Sequence, residues 1–467
     1  MKENPWWPWM GQVNTWTGRL MEFGRHTTAA PTALLQTQRS NEAAQRSAAG
    51  LQPDRDWIAT MNSLEDSQVD FDQLDEGALT GDPQVLTPAS VTGGTLRVGR
   101  MTYTTVVVPK SPYLSLAAAR TLRDFAAARG KIIFAGSPAT MEVDGRDAQL
   151  GALLTQIRRL GGNRVVTAAT PSQAGPAAAL LGQAAVTLSP PSAGIRALRF
   201  AEQGTDGYLL LNEGAAPVTV DVSFPSPGVP VVWDPETGTV TEATVYRSTG
   251  RSTVVPMTLE PRAPLGVTVS GRPGAHVTKV IGPARVTSAH VADGVLTAQA
   301  RTGSSGRITL RGQGPDGPLR GTSARVVVPA EVPLDGDWTM ALENGAPPVT
   351  RPLSGWTDVA PYYSGSATYT TRVTLGRDRP AGLGWTLDLG RVADVAEVTV
   401  NGVHVADRIW APYTIDLGDV LHAGANTIQV RVTNTQGNEK NRQAYDSGLY
   451  GPVKLVPSVT VPVNLTR

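Results

Sequence analysis

The chain has 467 residues, with 41 Lys and Arg against 40 Asp and Glu and a net charge of +1, so nucleic-acid binding, which needs a concentrated basic face, is not expected. The absence of cysteine excludes disulfides, thiolate nucleophiles and Cys-bound zinc. At about 150 residues per domain the length implies three or so domains, and 49 Gly with 36 Pro in a chain only 17% charged suit many strands joined by tight turns.

The first thirty residues carry Trp6, Trp7, Trp9 and Trp16, interleaved with Asn4, Gln12, Asn14 and Arg19. Large aromatics pack against something substantial, which makes this stretch either an arm laid on the chain's own domains or the end of a further one. It has no apolar h-region or small-residue cleavage site, and no run of 18 apolar residues occurs anywhere. Neither a membrane span nor an export signal is therefore expected within the chain; a signal would lie upstream.

Residues 31–192 alternate between strand and helix patterns. Thr32–Gln36, Thr104–Pro109, Lys131–Gly136 and Arg164–Ala168 read as buried parallel strands. Leu114–Arg129 sets Leu116, Ala119, Leu122, Phe125 and Ala126 on one helical stripe ended by Gly130. Ala148–Leu160 and Gln173–Leu181 behave alike, and a hairpin is expected near Gly93–Tyr103. Such repetition implies an open α/β sheet with crossover helices. The acidic stretch Glu65, Asp66, Asp70, Asp72, Asp75 and Glu76 reads as a solvated face and a turn.

After Pro190–Pro191 only strands follow. Residues 193–272 read as a small antiparallel sandwich, and 273–332 as a further β module with weaker alternation. In 333–467 the run Val398–Val405 is an alternating strand, Asn-Gly, then another alternating strand. This is the pattern of a type I′ hairpin, and a jelly roll is the natural architecture. The expected fold is thus multidomain α/β plus all-β: an open α/β sheet domain, then β-sandwiches, then a C-terminal jelly roll.

In this last block Ser364–Tyr369, Leu387–Val392, Val400–Gly402, Trp410–Tyr413, Leu421–Ile428, Val432–Asn434 and Ser447–Val453 resemble the sugar-binding, galactose-binding-like sandwich of family 2 type glycoside hydrolases. Upstream, Asp206–Gly214 and Val232–Gly238 look like the linker sandwich of family 106 α-L-rhamnosidases, and Val69–Leu74 with Tyr103–Pro109 is similar to that family's amidotransferase-like domain. The resemblance implies inverting hydrolysis of terminal rhamnose in plant or microbial glycans. It also implies calcium assistance, a bacterial, extracellular setting, and a catalytic barrel that precedes these residues. Residues 1–30 would then be the remnant of that barrel.

Hydrolysis of this kind needs two carboxyl groups flanking the scissile bond, mounted on barrel strand ends; no pair in the chain has that setting, so no catalytic residue is assigned. Glu22, on the Trp-rich helix, is the one carboxylate with an aromatic neighbourhood. Amidotransferase chemistry fails without a cysteine, and no Gly-x-Ser-x-Gly elbow accompanies the scattered His26, His276, His290, His404 and His422, so the α/β domain reads as scaffold. For sugar contact, aromatic faces and hydrogen-bonding side chains are needed. The candidates are Trp410, Tyr413, Asn434, Asn438, Arg442, Tyr445 and Tyr450, several of which equally suit core and turn positions. Asp335, Asp337, Asp416 and Asp419 are the candidate oxygen donors for calcium. Expected partners are a glycan or rhamnosylated substrate and the barrel, with no nucleic acid and no membrane. A stand-alone carbohydrate-binding protein is the alternative.

Overall fold

The computed structural model describes residues 4–24, 31–81, 88–202, 205–377 and 379–467. They form two compact units. One comprises Arg19–Ala243 with Arg247–Arg272, the other the residues up to Gly18, Thr244–Tyr246 and Pro273–Arg467. Among the described residues no helix is long and apolar enough to cross a membrane.

The first unit opens with a five-stranded parallel sheet. In spatial order its strands are Val165–Ala168, Lys131–Ala135, Thr105–Pro109, Thr32–Gln36 and Phe71–Asp75. Numbered along the chain this is 5-4-3-1-2, a doubly wound order. Both faces are covered, as a parallel sheet requires. Ala33, Leu35, Val106, Val108, Ile132 and Phe134 pack with the helices Leu116–Ala127 and Asp147–Gly161. Leu34, Val107 and Ile133 point the other way, toward Leu64, Ala174 and Ala178.

Local chemistry sets the helix ends. The Ser115 hydroxyl accepts the Ala118 N–H as an N-cap. Past the other end of that helix, a Cβ on Gly130 would come within 2.4 Å of the Phe125 ring, so only glycine lets the chain pass. The hairpin expected near 93–103 is a three-stranded meander, Ser90–Thr92, Thr95–Val98 and Met101–Tyr103.

The acidic stretch departs from expectation. It does not form a solvated face and a turn. Phe71–Asp75 pairs in parallel with Thr32–Gln36 as the edge strand, and Asp70 and Glu76 are buried at 9% and 1% exposure. Leu74, buried in the sheet core, pulls the strand inward while Asp66 and Asp75 stay exposed.

Two antiparallel sheets complete this unit. One orders Thr187–Ser189, Val218–Phe224, Thr253–Leu259 and Arg247–Ser248; the other orders Ile195–Glu202, Thr205–Asn212, Leu265–Ser270, Val229–Trp233 and Val240–Glu242. Alternating residues such as Tyr208, Leu210, Val220, Val222 and Phe224 are buried.

The second unit contains the jelly roll. One six-stranded sheet orders Val349–Pro352, Asp337–Leu342, Ser366–Leu375, Gly424–Thr433, Val395–Val400 and Val403–Arg408. The other orders Ala284–Ala292, Val295–Thr302, Lys454–Leu465, Leu383–Asp388 and Thr414–Asp416, with Val332–Pro333 also paired to Lys454–Leu465. Trp338, Trp356, Tyr369, Leu387, Val398 and Val430 fill the space between them. Asn401 and Gly402 sit at φ 51° and 80°, the positive angles that a type I′ turn demands.

The helix Met10–Gly24 and the short 3-10 turn before it bring Trp9, Gln12 and Trp16 onto the jelly roll. The Trp9 indole N–H donates to Asp407 Oδ2 at 3.1 Å and the Gln12 amide to the same oxygen at 3.3 Å. Trp16 meets Trp410 edge-on at 5.3 Å. The spacing 9, 12, 16 is one helical face.

Candidate functional site

Two places on the first unit can be weighed for chemistry. Doubly wound sheets bind ligands at the carboxyl ends of the strands where the order reverses, here beside the ends of Thr32–Gln36 and Thr105–Pro109. Glu76 lies at this edge, and its carboxylate is already committed. Ser40 donates from its N–H and hydroxyl at 3.3 and 3.0 Å, and Ser115 from its N–H and hydroxyl at 3.3 and 2.7 Å. Neighbouring Glu142 accepts the N–H groups of Leu116, Asp144 and Arg146, which together with the Arg146 side chain hold its carboxyl below the usual range despite burial. These acids cap backbone; they do not face a substrate.

The second place is a cavity of about 270 Å³ with Val69, Leu198, Leu209 and Leu211 in its wall and Glu65, Asp70 and Glu213 at its rim. Arg196 holds Glu213 at 2.9 Å and Glu65 at 3.7 Å, with Asp66 at 2.8 Å. That leaves Asp70, which burial pushes up to about 6 against the backbone N–H of Arg199. One buried acid in an aliphatic wall, with its neighbours tied to a guanidinium, is not the opposed pair that glycoside hydrolysis uses.

The jelly roll gathers most of the sequence candidates at one group of loops, but in two different roles. Three of them hold the fold. Asn434, 1% exposed, donates from Nδ2 to Tyr363 O at 3.0 Å and Ser447 Oγ at 2.8 Å, and accepts the Gly365 N–H at 2.9 Å. Its amide is used up inside the protein. Tyr413 donates its hydroxyl to the Asp394 carbonyl; burial and the Asp394 charge push it up to about 12. The Tyr450 hydroxyl accepts the Ser447 N–H at 3.0 Å, and its ring carries the Arg391 guanidinium at 4.5 Å. Asn434→Ala should lower stability by about 2 kcal/mol, because it strands the Gly365 N–H and two buried acceptors; urea denaturation of the two proteins measures this.

Two other candidates face water. Tyr445 is 41% exposed and Arg442 is exposed. Arg442 sits 5.0 Å above the Tyr362 ring, an exposed aromatic that sequence reasoning missed for want of a flanking motif. Asn438, one of the polar candidates in the same loop, is buried and donates to Pro361 O at 3.2 Å and Tyr445 O at 2.8 Å. One amide thus pins the backbones beside Tyr362 and Tyr445 to each other. Trp410 is half-buried and turned toward Trp16.

Asp394, a second residue that sequence reasoning missed, is half-buried, and burial raises its carboxyl. Arg391, three residues before, is paired with Asp446. The arrangement offers the exposed aromatic rings of Tyr362 and Tyr445, with the Arg442 guanidinium over Tyr362; apolar faces beside hydrogen-bonding groups suit a pyranose ring.

The remaining sequence candidates are placed elsewhere. Glu22 is exposed on its helix. His276 stacks on Tyr246 at 4.1 Å, His404 Nε2 lies 3.3 Å from Asp407 Oδ1, and His422 Nδ1 lies 3.0 Å from Ala423 O; His290 is exposed and His26 falls outside the described residues. The calcium donors do not converge. Asp416 is taken by Arg301 at 2.8 Å and by the Gly418 N–H, Asp335, Asp337 and Asp419 are exposed, and among the described residues no three His, Asp or Glu side chains are grouped to hold a metal. The six to eight oxygens of a calcium site are not assembled from these donors.

No family model matches the chain. Among curated proteins, one from Formosa agariphila that carries a β-glucuronidase name is 29% identical over 120 residues, which are 24% of this chain and 10% of that protein. Among solved structures, a rhamnosidase from Novosphingobium sp. PP1Y matches 96% of this chain and 41% of its own, with a TM-score of 0.58 and 23% identity. The chain therefore spans less than half of the rhamnosidase and a tenth of the curated relative, and what it has in common with the rhamnosidase, over nearly its whole length, is the fold.

Proposed function

We propose that this chain is the accessory, carbohydrate-associated region of an α-L-rhamnosidase-like glycoside hydrolase, supporting the release of terminal rhamnosyl groups by a catalytic module that these residues do not supply. The observation that carries the reading is the fold match, which takes in 96% of this chain but only 41% of a rhamnosidase. The engagement of Glu76 and Glu142 by backbone N–H groups and of Glu65 and Glu213 by Arg196 supports it, since each of these acids already has a partner within the chain. An extracellular site of action and a barrel as partner belong to the same reading.

The test is turnover of 4-nitrophenyl α-L-rhamnopyranoside by the purified chain, with binding of rhamnosylated oligosaccharides followed in parallel. Binding without hydrolysis is expected. Hydrolysis that disappears on replacing a single carboxylate of this chain would overturn the accessory role.

A second reading, a self-sufficient glycan-binding protein, is favoured by the water-facing Tyr362 and Tyr445 beside Arg442. It expects micromolar-to-millimolar binding, about −8 to −4 kcal/mol, to oligosaccharides that carry no rhamnose.

A further inference from the structure

We propose that the cavity of the first unit lined by Val69–Phe71 and by the strands Ile195–Glu202 and Thr205–Asn212 binds a small primary alkylammonium ion. Its hydrocarbon chain lies against leucine side chains and its ammonium group donates to the Asp70 carboxylate. This site is independent of the rhamnosidase-like reading above.

The wall is one face of a ladder. Leu198 pairs with Leu209 and Arg196 with Leu211 across the two antiparallel strands, and residues two apart on a strand share a face. Val69, Asp70 and Phe71 line the same cavity. Its volume of about 270 Å³ is just under the roughly 300–1,000 Å³ of ordinary small-molecule sites, so the ligand is small.

The charges of this cavity do not balance. Arg196 is its one lining cation, and it already serves Glu213 at 2.9 Å, Asp66 at 2.8 Å and Glu65 at 3.7 Å. Arg199 gives its guanidinium to Asp206 at 2.9 Å. Only its backbone N–H reaches Asp70 Oδ2, at 3.5 Å, which is beyond ordinary hydrogen-bond length. Asp70 is 9% exposed, no cation is bonded to it among the described residues, and the charge of Asp72 bears on it as well. A carboxylate so placed has lost water without gaining a counter-ion, and an entering cation restores the balance.

The same features exclude other ligands. An anion would meet Asp70, Glu65 and Glu213. A sugar would set its hydroxyls against leucines, where they find no partners. A calcium ion needs six to eight oxygens, and among the described residues no three His, Asp or Glu side chains are grouped to hold a metal. A short alkyl chain ending in an ammonium group matches both the apolar wall and the unbalanced acid.

The test is titration of the whole chain with n-butylammonium at pH 8, followed by NMR, with n-butanol and methylammonium as controls. Wild-type protein should bind n-butylammonium at least tenfold more tightly than n-butanol, which lacks the charge. It should also prefer it at least tenfold to methylammonium, since each buried CH₂ contributes about fourfold. Asp70→Asn should weaken n-butylammonium tenfold or more and leave n-butanol within about twofold. Leu198→Trp, at a position 43% exposed where a larger side chain is tolerated, should fill the cavity and weaken both. Lowering the pH from 8 to 5 protonates Asp70 and should weaken the wild type several-fold, with no such change in Asp70→Asn. Thermal unfolding of each variant checks that it is folded. Wild-type binding that survives Asp70→Asn, fails to distinguish n-butylammonium from n-butanol, or is absent altogether overturns the site. None of these results bears on the accessory role, which the rhamnoside assay tests separately.

Discussion

Glu76→Leu is expected to destabilise the first unit by about 4 kcal/mol, read as a lower midpoint of urea unfolding. The carboxylate is 1% exposed and gathers two N–H groups and two hydroxyls from Ser40 and Ser115. Leucine restores none of these bonds, and stranded buried donors cost about 1–3 kcal/mol each, partly offset where they relax toward water. Glu76→Gln keeps one acceptor oxygen and should lose roughly half as much. A loss below about 1 kcal/mol for the leucine variant would show that the serines find other partners and that Glu76 is not the link between the segments that follow the 32–36 and 105–109 strands.

The second large effect has the opposite sign. Asp70→Asn should stabilise the protein by about 2–3 kcal/mol at pH 8 and by nothing measurable near pH 4. Burial raises Asp70 from 3.8 to about 6, so between those values the folded state holds a proton that the unfolded chain has released. The stability contributed by this group is fully present below about 4 and is lost as pH rises through about 6, leaving an ionised carboxylate buried beside Leu209 and Leu211. Asparagine removes that charge and can still accept the Arg199 N–H, which reaches Asp70 Oδ2 at 3.5 Å. Denaturation at pH 4, 6 and 8 gives the profile. A pH-independent difference between the two proteins would mean that the carboxyl is not desolvated.

Much of the architecture was legible in the sequence because its signals are local. The apolar runs at 32–36, 105–109 and 131–135 and the stripe of Leu116, Leu122 and Phe125 each declare their period within a dozen residues. The Asn401-Gly402 turn is fixed by two residues alone. Phe71–Asp75 was not legible. Its acids outweigh one leucine in any local count, and only pairing with a strand some forty residues away makes it part of the sheet.

The candidate sugar-contact residues divide along the same line. Tyr445 and Arg442 face water. Asn434 and Tyr413 sit in a sugar-like sequence context, yet they spend their polar atoms on Tyr363, Ser447, Gly365 and Asp394. A single sequence shows which side chains can bond to a sugar, but not which have already bonded to the chain itself. Tyr362 and Asp394 went unremarked because what recommends them, exposure for one and burial without a bonded cation for the other, exists only once distant loops meet.

The strand Lys454–Leu465 lies between Val295–Thr302 and Leu383–Asp388 in one sheet. During synthesis, sheet edges made from residues 295–302 and 383–388 must wait, unzipped, until residues 454–465 emerge from the ribosome. A frameshift or nick after Val453 would accordingly act as the loss of a keystone and not as the trimming of a tail, exposing two ladders of backbone amides ready to pair with a neighbouring molecule.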